Sequence, residues 1–142
     1  MPLTLPLIYS TLFAVLLAQV IKFINESIQN GRFLWTRFFE PGGMPSSHTS
    51  LVVSLLSGVA FRNGIFSDLF AVSAVFSAVV IFDAMGVRRS AGEHAKTLNQ
   101  LLQIFRFRRS DVMPLKERLG HSPLEVSAGA ILGFLVAWAA NT

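Results

Sequence analysis

Four long apolar stretches alternate with polar segments along the chain, and each is close to the length of a membrane-spanning helix. They cover residues 5–24, 45–61, 66–87 and 123–140. A helix needs about 20 mostly apolar residues to cross the hydrocarbon core of a bilayer, with a range of roughly 17 to 25. The pattern therefore predicts an all-α, polytopic bundle of about four transmembrane helices.

Two polar connections, residues 25–44 and 88–122, separate these stretches. The second contains apolar residues at helical spacing: Ala91, Ala95, Leu98, Leu101, Leu102 and Phe105. One apolar stripe on an otherwise polar helix is typical of a helix that lies along an interface. We therefore expect an amphipathic helix on the membrane surface or beneath the bundle.

The composition indicates a single integral membrane domain that spans residues 1–142. Hydrophobic residues make up 52% of the chain and charged residues 14%, whereas ordinary soluble domains carry roughly 25% charged residues. The chain has no cysteine, which excludes disulfides and thiolate metal sites.

The positive charge is concentrated on one side of the predicted bundle. When four spans are threaded alternately through a bilayer, connections 25–44 and 88–122 fall on the same side. Eleven of the twelve Lys and Arg residues lie on that side, counting Lys22 at the end of the first span, and only Arg62 lies opposite. Short loops rich in Lys and Arg stay in the cytoplasm. The polar face is therefore predicted to be cytoplasmic. The chain's net charge of +4, distributed in this way, is predicted to suit lipid headgroups, with no nucleic acid partner.

Three groups of residues on this face can carry chemistry, and the first is residues 42–50. Glycines, a proline and hydroxyl residues precede an apolar helix here. A helix N-terminus with free backbone N–H groups attracts anions, above all phosphate. His48 can donate a proton to a leaving oxygen there. The alternative is a helix cap with a partly solvated histidine.

The second group is residues 83–89, at the end of the third apolar stretch. Arg88 and Arg89 suit phosphate, since a guanidinium matches its oxygens geometrically. Asp83 lies at membrane depth, where an unpaired carboxylate is costly, so we expect it to have a partner. The alternative is that the arginines anchor the chain at the cytoplasmic face and Asp83 braces the structure.

The third group is residues 120–126, at the start of the last apolar stretch. His121 and Glu125 are four residues apart and share a face of any helix that includes both. A carboxylate beside an imidazole fixes its tautomer and strengthens the other nitrogen as a nucleophile or base; the alternative is a structural pair. His94 is interpreted as a surface residue, and the histidine spacing does not favour a metal site.

These motifs resemble those of a known superfamily. Residues 45–50 resemble the Pro-Ser-Gly-His motif of the type-2 phosphatidic acid phosphatase superfamily, which includes vanadium haloperoxidases, and residues 121–125 resemble its His-x-x-x-Asp motif. The match is closer to a divergent branch of small membrane proteins. Its hallmarks correspond to residues 18–22, 42–48, 83–89 and 119–126.

The resemblance implies a reaction without a metal ion or other cofactor. In it, His121 would attack phosphorus and form a phosphohistidine, Glu125 would orient His121, and His48 would protonate the leaving group. The residues that it assigns to phosphate binding are Lys22, Ser46, Ser47, Asp83, Arg88 and Arg37.

The resemblance also implies a substrate class. We expect a membrane phosphatase that acts on a lipid phosphomonoester or diphosphate at the cytoplasmic face, such as phosphatidylglycerol phosphate, phosphatidate or an isoprenyl diphosphate. The superfamily core commonly has six helices, so two alternatives are open: this chain forms a minimal bundle, or two copies of it complete the core.

The chain departs from the superfamily pattern at several positions. The usual Lys-x6-Arg-Pro pattern is absent, because the chain reads Gln29-Asn30 after the six residues that follow Lys22. Glu125 replaces aspartate, Ser47 replaces glycine, and Leu115 stands where an arginine is expected. The alternative function is therefore a non-catalytic lipid-phosphate-binding or transport-related membrane protein, and peroxidase chemistry with vanadate is a third hypothesis.

Overall fold

The computed structural model describes residues 6–32, 42–104 and 113–142. In these ranges the chain forms α-helices and no strand, which confirms the all-α prediction for the described residues. The helices are α1 (Leu7–Asn30), α2 (Ser47–Asn63), α3 (Asp68–Met85), α4 (Val87–Ile104) and α5 (Pro123–Ala139).

Two helical stretches of the described chain are long and apolar enough to cross a membrane. They are Leu7–Asn30, which is α1, and Asp68–Ile104, in which α4 follows α3 almost directly. The other two apolar helices, α2 and α5, have 17 residues each, or about 26 Å at 1.5 Å per residue. A bilayer core is about 30 Å thick. The arrangement with four spans therefore stays a prediction.

The polar connections of the sequence contain more helix than their composition predicts. Residues 25–30 were expected in a connection, but they form the last turns of α1. The helix ends where Gly31 takes a left-handed conformation, with φ of 63°, as glycine commonly does at helix C-termini. The amphipathic helix predicted in residues 88–122 is confirmed as α4. Its position at a membrane surface stays a prediction.

The helix starts are fixed by serine caps. Ser46, Ser67 and Ser122 precede α2, α3 and α5, and each side chain accepts a hydrogen bond from a backbone N–H of the first turn. Such caps satisfy groups that would otherwise lack partners at the start of a helix.

Helix α2 is central, because it packs against α1, α3 and α5. Its closest approach is to α5, where Gly129 and Gly133 leave no side chain between the backbones. A Cβ at Gly129 would lie 2.5 Å from the Ser46 carbonyl oxygen, and one at Gly133 would lie 2.5 Å from the Ser50 carbonyl oxygen. Small residues of this kind let membrane helices pack closely. The contact joins the starts of α2 and α5, where the two predicted catalytic motifs lie.

Candidate active site

Two histidines from separate helices meet at one end of the bundle. His48 lies in the first turn of α2, and His121 immediately precedes the cap of α5. Their ring centroids are 6.2 Å apart, and the ring planes are inclined at 57°. Two imidazoles at this separation can face opposite sides of one small polar group.

Helix α3 holds His121 in place through its backbone. The His121 N–H donates to the Ala84 carbonyl oxygen at 2.9 Å. The preceding Gly120 has φ of +79°, and a Cβ there would collide with the backbone of Arg89. Because any side chain at this position would be blocked, Gly120 lets the chain pass close to the junction of α3 and α4. His121 itself is buried, with 7% of its surface exposed.

Glu125 contacts the His121 ring from the start of α5. One carboxylate oxygen, Oε2, lies 3.1 Å from His121 Nδ1 and accepts the Ser122 N–H at 2.9 Å. The Ser122 hydroxyl accepts the Glu125 N–H in return, which completes a capping box. His121 and Glu125 would share a face of a helix that included both, but α5 begins only at Pro123. The two side chains meet because the carboxylate reaches back over the helix start.

Asp83 and Arg88 complete a hollow beside the histidines. Arg88 Nε donates to Asp83 Oδ2 at 2.5 Å, and this ion pair supplies the partner that the depth of Asp83 predicts. The hollow has a volume of about 250 Å³. Its lining consists of Gly42, His48, Val79, Val80, Asp83, Ala84, Arg88, Gly120 and His121. It therefore combines two imidazoles, a guanidinium and a carboxylate.

Ser46 and Ser47 lie at the start of α2. Ser46 is fully buried, and its Oγ accepts from the N–H and the hydroxyl of Thr49. Its own N–H donates to the Glu125 carbonyl oxygen at 3.0 Å, which ties α2 to α5. The structure thus gives Ser46 a capping role, as the alternative interpretation of this motif expects. Ser47 is the first residue of α2 and is half-buried.

The two remaining predicted phosphate ligands are basic. Lys22, on α1, is 3% exposed, and its side chain packs against Gly43, where a Cβ would lie 2.8 Å from Lys22 Cδ. Lys22 therefore contacts Gly43, the residue that follows Gly42 in the lining of the hollow. Arg37 lies outside the described residues.

A second, larger hollow lies on the other side of His121, and sequence reasoning missed it. Its volume is about 600 Å³. It shares Gly120 and His121 with the first, and its polar lining includes Asn25, Gln29, Arg89, Glu93, Arg118 and Glu125. Gly42 and Gly43, both with positive φ, line the first and the second hollow respectively, but no local sequence pattern marks the second hollow.

The described residues include no cluster of side chains suited to bind a metal ion. Within residues 6–32, 42–104 and 113–142, no three His, Cys, Asp or Glu side chains cluster in a way that could hold one. The third histidine, His94, is exposed on α4, in agreement with its interpretation as a surface residue.

The chain has detectable relatives. It is 43% identical over 139 residues to the uncharacterized membrane protein YuiD of Bacillus subtilis (strain 168), in an alignment that covers 89% of this chain and 88% of that protein. No solved structure is detectably similar to it. Residues 4–136 match the family described as the Divergent PAP2 family. With nearly its whole length matched, and with the motif histidines meeting at one end of a helical bundle, this chain is a membrane protein that belongs to the Divergent PAP2 family.

Proposed function

We propose that the protein is a membrane phosphatase that hydrolyses a lipid phosphomonoester or diphosphate through a phosphohistidine on His121. The observation that carries this proposal is the meeting of His48 and His121, 6.2 Å apart, around the hollow that Asp83 and Arg88 line. A phosphate group has the size, the charge and the hydrogen-bonding capacity that such a hollow suits.

The reaction follows from the contacts of the two imidazoles. Glu125 engages His121 Nδ1, so Nε2 carries the lone pair that attacks phosphorus. As the N–P bond forms, the bond from phosphorus to the lipid oxygen breaks, and His48 gives its proton to that oxygen. Water then attacks the phosphohistidine, His48 takes a proton from it, and inorganic phosphate leaves with His121 restored. Arg88 balances charge on the phosphoryl oxygens.

The active site is proposed to face the cytoplasm, at the depth of the lipid headgroups. The two connections on this side hold ten of the twelve Lys and Arg residues, and Lys22 at the end of the first span is the eleventh; connections rich in Lys and Arg stay cytoplasmic. A headgroup-level site lets the lipid tail remain in the bilayer during hydrolysis. Phosphatidylglycerol phosphate, phosphatidate and isoprenyl diphosphates all meet this requirement, and a second copy of the chain is a candidate partner.

Phosphate release from a panel of these lipids tests the proposal. Purified protein should release phosphate from at least one of them, and vanadate should inhibit it. His121→Ala should abolish release, and His48→Ala should lower it by a factor of about 10² to 10⁴, the usual contribution of general acid catalysis. His94→Ala is the matched control, because His94 is exposed on α4 and away from the hollow. Full activity of His121→Ala would refute the mechanism.

A second candidate function is lipid-phosphate binding without turnover. It is favoured by the pairing of Arg88 with Asp83, because a guanidinium that already has a carboxylate partner balances less of a phosphate's charge. Saturable binding of a lipid phosphate, with no release from any member of the panel, would support this alternative.

A further inference from the structure

The segment that carries His121 has no secondary structure of its own. Residues 113–121, hereafter the His121 segment, run between the described end of α4 and the cap of α5 without forming a helix. Backbone N–H and C=O groups outside regular structure need partners elsewhere. The position of His121 therefore depends on whatever binds this segment.

Asn99 on α4 binds the His121 segment through three hydrogen bonds. Its Oδ1 accepts the Leu115 N–H at 2.9 Å, and its Nδ2 donates to the Leu115 carbonyl oxygen at 2.9 Å and to Glu117 Oε1 at 2.8 Å. Asn99 is 8% exposed. One side chain thus satisfies both backbone groups of Leu115 and a side chain two residues further on.

The same face of α4 contacts the rest of the segment. Gly92 and Ala95 are buried with Asn99 at spacings of three and four residues, which place them on one stripe of the helix. A Cβ at Gly92 would lie 2.6 Å from the Glu117 carbonyl oxygen and 2.9 Å from that of Leu119. The segment therefore lies against α4 from Leu115 to Leu119, directly before Gly120 and His121.

We propose that Asn99 is a positioning residue, which sets the placement of His121 by holding the His121 segment on α4. This inference rests on the proposed function, in which His121 is the nucleophile. The proposed phosphate site is formed by His48 on α2, Asp83 on α3 and Arg88 in the first turn of α4. Asn99 lies eleven residues further along α4, and its side-chain hydrogen bonds go to Leu115 and Glu117 of the His121 segment. A loss of Asn99 contacts should therefore affect kcat and leave KM nearly unchanged.

The Asn99→Asp substitution tests the proposal, because aspartate has nearly the same side-chain shape as asparagine but different hydrogen-bonding groups. The aspartate still accepts the Leu115 N–H, but it cannot donate to the Leu115 carbonyl oxygen, and it repels Glu117. We expect kcat to fall by about tenfold or more, since a misplacement of 1 Å can cost a factor of about 10², with KM within about twofold of wild type. Gln100→Glu is the matched control, because it adds the same charge at the neighbouring, exposed position, and its kcat should equal that of wild type.

Rescue separates positioning from a general loss of structure. Glu117→Gln in the Asn99→Asp protein places an amide donor opposite the new carboxylate, so it should recover at least a third of the lost kcat. Glu117→Gln alone keeps an acceptor for Asn99 and should be close to wild type. If Asn99→Asp does not fold, Leu115→Pro removes the N–H that Asn99 accepts and should lower kcat in the same selective way.

A readout without turnover separates this inference from the proposed function. Nitrogen-15 NMR of labelled histidine reports the surroundings of the His121 ring, with His48→Gln and His94→Gln used to assign the signals. Asn99→Asp should shift the His121 signals, and Gln100→Glu should not. If the wild-type protein releases no phosphate but Asn99→Asp still shifts the His121 signals, the proposed function is refuted and the positioning of His121 by Asn99 is supported. The role of Asn99 would be overturned if the wild-type protein is active and Asn99→Asp changes neither kcat nor the His121 signals.

Discussion

Gly129→Ala should destabilise the protein, although alanine normally favours a helix. The new Cβ would lie 2.5 Å from the Ser46 carbonyl oxygen and 3.0 Å from Thr49 Cβ. To restore ordinary van der Waals contact, α2 and α5 must separate by about 1 Å. Overpacking of this kind costs about 1–3 kcal/mol, against a gain of up to about 1 kcal/mol from helix propensity. With the full propensity gain subtracted, the expected net loss in free energy of unfolding is therefore up to about 2 kcal/mol.

The same separation should also lower activity. It would break the hydrogen bond from the Ser46 N–H to the Glu125 carbonyl oxygen and move His48 relative to His121, so we expect phosphate release to fall by about tenfold. Unfolding by denaturing detergent in mixed micelles, followed by circular dichroism, measures the stability. Ser127→Ala on the exposed side of α5 is the control and should stay within about 0.5 kcal/mol of wild type. A Gly129→Ala protein that is more stable than wild type would refute the close backbone contact.

Two other substitutions test the surroundings of the histidines. Glu125→Gln should lower kcat by a factor of up to about 10⁴, the loss seen when the carboxylate that orients a catalytic histidine is replaced by its amide. Glu125→Asp should retain more activity, and similar kcat values for both variants would contradict the orienting role. Arg88→Lys should weaken inhibition by vanadate by about tenfold, because an ammonium lacks the forked guanidinium geometry; unchanged inhibition would remove Arg88 from the phosphate site.

The motif residues of the candidate site were accessible from the sequence because their chemistry is local. His48 follows a glycine- and serine-rich helix start, and His121 precedes a proline and a glutamate. Both signals lie within a few residues, and the fold brings the two imidazoles together. The pairing of Asp83 with a base was likewise predictable, because a carboxylate at that depth needs a partner.

What the sequence does not reveal depends on contacts between distant residues. The last turns of α1 are polar on most sides, so composition alone predicts a loop there although the chain stays helical to Asn30. Asn99 is one polar residue among many on α4, and its role follows only from its contact with Leu115. The second hollow arises where α1, α4 and the His121 segment meet, and no local pattern encodes that meeting.

Trapping of the covalent intermediate tests the central claim most directly. Protein mixed with a radiolabelled lipid phosphate and quenched in alkali, which preserves phosphohistidine, should carry the label on the peptide that contains His121, and His121→Ala should carry none. Phosphate release without label on His121, or label on another residue, would contradict the account.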